Sequence, residues 1–257
     1  MAQVRRPLLT VLLLVPAAGA VRRVLDGGLQ ALSYDECEYA RQTLATADRL
    51  LERGVLSWPW IVAFEQEYLK PPLLVDLAAA WTLLLGRADP AHAIAATLGT
   101  ITALSWLVAF RLLRGCFGAR TTAIGLMAFG ALPAGAIFAA RLFPEPLVTL
   151  LLFLVLALLF APSGRWSAGR TAALGAALGL GLLAKTTFVA LAAGPLAVAW
   201  LGLGRDDRAA RRAARRAVLG GLALGLVVAS LWYARNLGPA LEYARGAYDW
   251  TSWAPGS

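Results

Sequence analysis

Eight apolar runs separated by short arginine clusters limit what this chain can fold into more than any other feature. The runs cover residues 7–21, 71–85, 92–110, 121–140, 146–161, 171–184, 186–203 and 217–233. Of the 257 residues, 59% are hydrophobic and 15% are charged, whereas about a quarter of the residues are charged in ordinary soluble domains. The pattern therefore predicts an all-α, polytopic membrane protein.

One of these runs differs from the others. Run 71–85 carries Asp76 and begins with two prolines, and it is short for a crossing helix, which needs about 20 residues. We expect it to form a helix on the membrane surface, so that about seven of the runs cross the bilayer. The chain then forms a single transmembrane module over 1–257, with an external tail at 237–257 and an external loop at 26–90. The loop is expected to carry amphipathic juxtamembrane helices.

The arginine clusters support this topology. If run 71–85 does not cross, the amino-terminal arginines and the clusters within 111–120, 165–170 and 205–216 all fall on the cytoplasmic side, as the positive-inside rule requires. The net charge of +9 resides largely in these clusters, which argues against a nucleic-acid partner. The loop 26–90 holds ten acidic and five basic residues, and is the acidic stretch of the chain.

Several other residues are expected to have ordinary structural roles. The amino terminus reads as a retained anchor helix, with a cleaved signal peptide as the alternative. Cys37 and Cys116 provide neither a disulfide framework nor a metal-binding spacing, and we expect both to be packing residues. His92 is expected at a helix start near the membrane interface. Glycines such as Gly175, Gly179 and Gly181 favour close helix packing in lipid.

The remaining polar residues are predicted to gather in one outer layer. An acidic residue at a membrane boundary is costly unless it faces water or a partner, so such residues are candidates for function. The candidates are Asp35, Glu36, Lys70, Arg141, Glu145, Lys185 and Arg235. The alternative is that these residues are solvated helix ends, with the longer side chains reaching out to water.

Five landmarks along the chain carry a family resemblance. They are the stretch 34–40 containing Asp35-Glu36, then Lys70-Pro71-Pro72-Leu73, Glu145-Pro146-Leu147, Leu183-Ala184-Lys185 and Trp232-Tyr233-Ala234-Arg235-Asn236. In this order the chain resembles the GT-C glycosyltransferases, in particular the branch that holds protein O-mannosyltransferases and lipid A aminoarabinose transferases. The resemblance covers about residues 1 to 236.

The resemblance implies a chemistry and a location. Such enzymes move a sugar from a polyprenyl-phosphate carrier to a glycan, lipid or protein acceptor on the outer face of the cytoplasmic membrane. Asp35, beside Glu36, would be the general base on the acceptor hydroxyl. Lys70 would hold the carrier phosphate, with Arg141, Lys185 or Arg235 as further cations. Glu145 corresponds to the second family acid and, with Asp35, would organise the acceptor or a divalent cation.

The chain also departs from the family pattern. Glu145 stands where the family more often has Asp, and Thr186-Thr187 follow Lys185 where Gly is usual. The chain ends soon after the last predicted crossing, whereas relatives carry further helices, so we expect it to be truncated relative to them. Two other classes stay open: a non-catalytic membrane subunit of this fold, and a transporter, which would place its ionisable groups near the bilayer midplane.

Overall fold

The computed structural model describes residues 22, 34–65, 70–85, 90–130, 142–160, 166–202 and 208–248. Its helices are α1 (Tyr34–Arg53), α2 (Trp58–Phe64), α3 (Leu73–Leu84), α4 (Pro90–Phe117), α5 (Ala119–Gly130), α6 (Glu145–Phe160), α7 (Ala168–Ala184), α8 (Phe188–Gly202) and α9 (Arg208–Tyr248). A short 3-10 helix over Val55–Ser57 joins α1 to α2. Because the described residues contain helices and no strand, the all-α prediction is confirmed.

Helices α6 to α9 run up and down a bundle with two chemically different ends. At one end, the Arg170 side chain at the start of α7 donates to the backbone carbonyl of Leu158 near the end of α6, at 2.6 Å. The Arg215 guanidinium near the start of α9 lies 5.0 Å from the Trp200 ring near the end of α8. We call this the arginine end. The opposite end carries Glu145 and is called the Glu145 end.

Helices α7 and α9 are parallel and pack along glycines, which we call the glycine seam: Gly175 and Gly179 on α7 against Gly221 and Gly225 on α9. A Cβ atom added at Gly175 would lie 2.7 Å from the Leu224 Cβ. At Gly179 it would lie 2.8 Å from the backbone oxygen of Gly225. The predicted glycine packing is confirmed, because the two backbones approach too closely for any side chain.

Run 71–85 forms α3, a helix of 12 residues. At 1.5 Å per residue it spans roughly 18 Å, well short of the roughly 30 Å hydrocarbon core of a bilayer. The helix is not simply laid on a surface, however, because it packs against α1 and α4 and most of its residues are inside the protein. The buried residues are Leu73, Leu74, Val75, Asp76, Ala78, Ala79 and Thr82.

Two described helices are long and apolar enough to cross a membrane, over His92–Phe117 and Arg208–Glu242. The apolar helices α6, α7 and α8 have 16, 17 and 15 residues. The lengths of the helices alone therefore do not establish the seven predicted crossings. The predicted run 7–21 and the second half of run 121–140, together with residues 249–257 of the tail, lie outside the described residues.

The end of the last helix was predicted wrongly. Arg235 and Asn236 do not follow the helix but lie inside α9, which continues to Tyr248. The predicted tail at 237–257 therefore begins as helix. Pro239 lies within this helix and removes only one backbone N–H donor, while alanine, leucine and glutamate next along the chain favour helix.

Both cysteines are exposed, contrary to the expectation that they are packing residues. His92 is also exposed, two residues after the start of α4, as expected of an interfacial residue.

Candidate functional site

An ion pair at the Glu145 end joins two of the predicted site residues. The Nζ atom of Lys185 donates to Oε1 of Glu145 at 2.5 Å, and both side chains are partly exposed. The residues are 40 positions apart, so the contact depends on the fold of α6, α7 and α8. The structure thus brings together two residues that the resemblance implied for the site, a carboxylate and a candidate phosphate-binding cation.

Local structure fixes Glu145 at the start of α6. Pro144 and Pro146 flank it, and proline is well tolerated in the first turn, where backbone N–H groups have no partner within the helix. The Val148 N–H donates to the Pro144 carbonyl at 2.9 Å, which sets the first turn. A carboxylate at a helix start is also favoured by the helix dipole.

Lys185 is fixed even more firmly, between two helices. It caps α7 in an extended conformation; its N–H donates to the Gly181 carbonyl, and its own carbonyl accepts from the Phe188 N–H that begins α8, both at 3.0 Å. The fully buried Phe188 ring packs against Gly181, where an added Cβ would lie only 2.2 Å from a ring carbon. Gly181 is therefore required for the sharp turn that aims Lys185 at Glu145.

The second carboxylate oxygen of Glu145 has a different environment. Its Oε2 atom is buried and has no hydrogen-bond partner among the described residues. A buried carboxylate oxygen without a donor is costly, and a substrate hydroxyl or a water could satisfy it. Glu145 can therefore accept one further hydrogen bond while Lys185 holds it in place.

Lys70 lies in a second polar group, formed with α1. Its ammonium is 5.5 Å from the centre of the Tyr39 ring, and it helps to stabilise the charge of Glu38. The side chain of Arg41 hydrogen-bonds Glu38 at 2.6 and 2.9 Å and is the main reason that the pKa of Glu38 lies below its ordinary value. Partial burial raises this pKa, while Gln42 and the charge of Lys70 lower it further.

Asp35 and Glu36 occupy the first turn of α1. Position 35 lies one helical turn before Tyr39, on the same side of the helix, and Tyr39 is the residue that Lys70 covers. The predicted base and the predicted phosphate ligand are thus on neighbouring segments, while contact between Asp35 and Glu145 stays a prediction.

Two further residues, Arg141 and Arg235, were predicted as phosphate-binding cations. Arg141 lies outside the described residues. Arg235 donates a hydrogen bond from its guanidinium to the backbone carbonyl of Phe64 and so ties α9 to the end of α2. This contact gives Arg235 a structural role, and phosphate binding by it stays a prediction.

The implied divalent cation fits this site poorly. Within the part of the chain that the structure describes, no three His, Cys, Asp or Glu side chains are grouped so as to hold a metal. At Glu145, the ammonium of Lys185 already sits on one carboxylate oxygen, and its positive charge would repel a second cation. A cation held by Asp35 and Glu145 stays a prediction, and no step is derived through it.

A pocket between α1 and α2 was not predicted from the sequence. It has a volume of about 650 Å³ and is open to the surface. Its lining residues are Arg41, Gln42, Ala45, Arg49, Arg53, Trp60 and Glu65. The sequence feature that could have predicted this pocket is the four-residue spacing of the arginines and Ala45, which places them on one face of α1. A count of the charges in the loop does not reveal that face.

Comparisons of the chain with protein-family models, with curated proteins and with solved structures found no match.

Proposed function

We propose that this chain is the membrane module of a glycosyltransferase that moves a sugar from a polyprenyl-phosphate carrier to an acceptor hydroxyl on the outer face of the cytoplasmic membrane. The observation that carries the proposal is the Glu145–Lys185 pair. Two of the five sequence landmarks meet in it, and the second carboxylate oxygen of Glu145 has no hydrogen-bond partner among the described residues.

In this proposal each residue has a defined step. Asp35 takes the proton from the acceptor hydroxyl, and the oxygen attacks the anomeric carbon of the sugar. The bond between that carbon and the carrier phosphate breaks, so the phosphate leaves with an added negative charge. Lys70 stabilises that charge as a compact ammonium. Glu145 accepts a hydrogen bond from the acceptor through Oε2.

The proposed topology has about seven crossings, with the Glu145 end outside. The alternation of α6 to α9 supports it, because Arg170 and the arginines at the start of α9 lie together at the opposite end. Helices of 15 to 17 residues can cross where flanking residues continue the apolar stretch or where the bilayer thins locally.

The two native cysteines provide a test of this topology. Cys37 is predicted outside and Cys116 inside, and both are exposed. A membrane-impermeant maleimide added to intact cells should label the Cys116→Ser variant, which retains Cys37, and spare the Cys37→Ser variant. Both variants should be labelled after the membrane is opened. The reverse pattern in intact cells would place the Glu145 end in the cytoplasm and overturn the proposal.

A non-catalytic membrane subunit is the second candidate. It is favoured by the fact that the Glu145–Lys185 pair also has a purely structural explanation, since it links the start of α6 to the turn between α7 and α8.

The experiment that separates the two functions is a transfer assay on the purified full chain in lipid nanodiscs. Polyprenyl-phosphate sugars are added with a mixture of membrane acceptors, and consumption of the carrier-linked sugar is followed. We expect consumption by the wild type and a loss of at least tenfold in Glu145→Gln, since one charged hydrogen bond is removed. Glu242→Gln, which removes an exposed acid of α9, is the control and should retain activity.

Lys70→Ala provides a second arm of the same assay. Because the carrier phosphate is bound both before and during departure of the sugar, this variant should bind the donor more weakly and also transfer more slowly. Lys70→Arg should restore only part of both, since a planar guanidinium does not replace a compact ammonium. Unchanged donor affinity in Lys70→Ala would contradict the carrier-phosphate role.

A further inference from the structure

The pocket between α1 and α2 is rich in arginine. Arg41, Arg49 and Arg53 line it together with one carboxylate, that of Glu65. The arginines recur at multiples of four residues and so form a stripe along one face of α1. Glu65 pairs with Arg53, and Glu38, beside the pocket, pairs with Arg41. Three guanidinium groups therefore meet two carboxylates, which leaves a net positive charge, and planar guanidinium groups are well suited to phosphate.

The guanidinium groups are also held in position. Arg49 donates to the backbone carbonyl of Glu65 at 3.0 Å, and Arg53 pairs with the Glu65 side chain. Arg41 pairs with Glu38 on α1. Each guanidinium group carries five N–H donors, and these contacts fix the arrangement that a ligand would meet.

An exposed apolar surface adjoins the pocket. Trp60 lines the pocket, and the centre of its ring lies 4.3 Å from the centre of the Phe64 ring. Val55, Leu56, Trp60 and Phe64 are all exposed, with Leu56 96% accessible. Large apolar side chains exposed in this way mark a surface that another molecule covers, and tryptophan is typical of the boundary between lipid tails and water.

We propose that this pocket binds the phosphate headgroup of an anionic glycerophospholipid, whose acyl chains cover the surface formed by Val55, Leu56, Trp60 and Phe64. A cationic pocket beside an apolar surface complements an anionic amphiphile, whereas a soluble anion would leave the apolar side chains in water. The volume is in the range of sites for small molecules. The inference requires that the protein lies in a membrane but does not require sugar transfer.

The test is a lipid titration of the purified full chain in a neutral detergent, followed by native mass spectrometry. Phosphatidylglycerol and phosphatidylcholine with identical acyl chains are the probes. We expect phosphatidylglycerol to bind at least tenfold more tightly, because both lipids cover the apolar surface but only one carries a net negative charge. Equal binding of the two lipids would overturn the proposal.

Variants locate the binding site. The double variant Arg49→Gln/Arg53→Gln should lose the preference for phosphatidylglycerol, while Arg245→Gln, which removes an exposed arginine of α9, should keep it. An equal loss in both would show a general charge effect and contradict the proposed site. If the double variant does not fold, Arg49→Lys/Arg53→Lys keeps the charge without the planar fork and should reduce the preference only in part. An unchanged preference there would count against the guanidinium site.

A soluble probe separates the lipid from a free phosphate. Glycerol 3-phosphate carries the headgroup chemistry without acyl chains, and we expect it to compete only at concentrations at least a hundredfold higher, because it gains nothing from the apolar surface. Competition at the same concentration as the lipid would mean that the pocket is a site for soluble phosphates, and the proposal would be wrong. Trp60→Ala should weaken lipid binding and leave the affinity for glycerol 3-phosphate itself unchanged.

Discussion

Helix α7 takes part in two regions that differ in how much space they leave for side chains. In the glycine seam, the backbone of α7 lies against the backbone of α9 with no room for a side chain. At its end, Lys185 meets Glu145 through long side chains that are 36% and 37% exposed. The first region fixes where the helices lie, and the second leaves polar atoms available for another molecule. A rigid interface therefore supports an adaptable polar site within one helix.

The largest effect should come from Gly179→Leu in the seam. A Cβ atom there would lie 2.6 Å from the Val228 Cβ and 2.8 Å from the Gly225 carbonyl oxygen. The carbonyl belongs to the backbone, so α9 must shift as a whole, and overpacking of this kind costs about 1–3 kcal/mol or more. We expect little folded protein by size-exclusion chromatography and a lower melting temperature for any that remains.

Gly125→Leu is the matched control, because an added Cβ at Gly125 in α5 meets nothing within 4 Å. It should fold as well as the wild type, since leucine favours helix over glycine. If both variants folded equally well, the seam would not be the rigid element of this comparison.

In the first turn of α1, Asp35→Asn should abolish function and spare the fold. Asparagine keeps the shape of aspartate but cannot take a proton, so if Asp35 is the base, sugar transfer should fall about a hundredfold or more. The melting temperature should stay close to that of the wild type. Glu36→Gln should have a smaller effect, because successive positions of a helix lie about 100° apart around its axis.

Glu52→Gln, an exposed acid farther along α1, serves as the control for Asp35→Asn and should transfer sugar at the wild-type rate. Wild-type turnover in Asp35→Asn itself would assign Asp35 to the solvated end of α1 instead.

The sequence predicted the helical class and the close glycine packing because both follow from local patterns. It also placed Glu145 and Lys185 at one end, since each lies at the boundary of an apolar run. It did not predict the end of α9, because Arg235 and Asn236 look like the end of a crossing although the following residues still favour helix. The arginine pocket was missed because it depends on α2 folding back against α1, a contact that spacing within one helix does not specify.

A double-mutant cycle on Glu145→Gln and Lys185→Gln should give an intermediate effect. Since both side chains are more than a third exposed, solvent weakens the pair, and we expect a coupling in unfolding free energy of about 1 kcal/mol or less. Sugar transfer by each single variant should fall by more than this loss of stability explains. Activity that falls only in step with the folded fraction would make the pair a structural link.

The smallest effect should be the pH dependence at Glu38. Its pKa is depressed in the folded protein, chiefly by the hydrogen bond from Arg41, so the ionised form stabilises the fold above the pKa of the unfolded chain, about 4.5. This contribution is lost as the pH falls through the lower, folded value. Because Glu38 and Arg41 are 38% and 69% exposed, solvent screening limits this contribution to roughly 0.5 kcal/mol.

The melting temperature of Glu38→Gln should therefore lie slightly below that of the wild type at pH 7, and the difference should vanish in acid. Arg41→Gln should show a similar difference at pH 7, whereas a difference for Glu38→Gln that grew in acid would contradict the assigned sign.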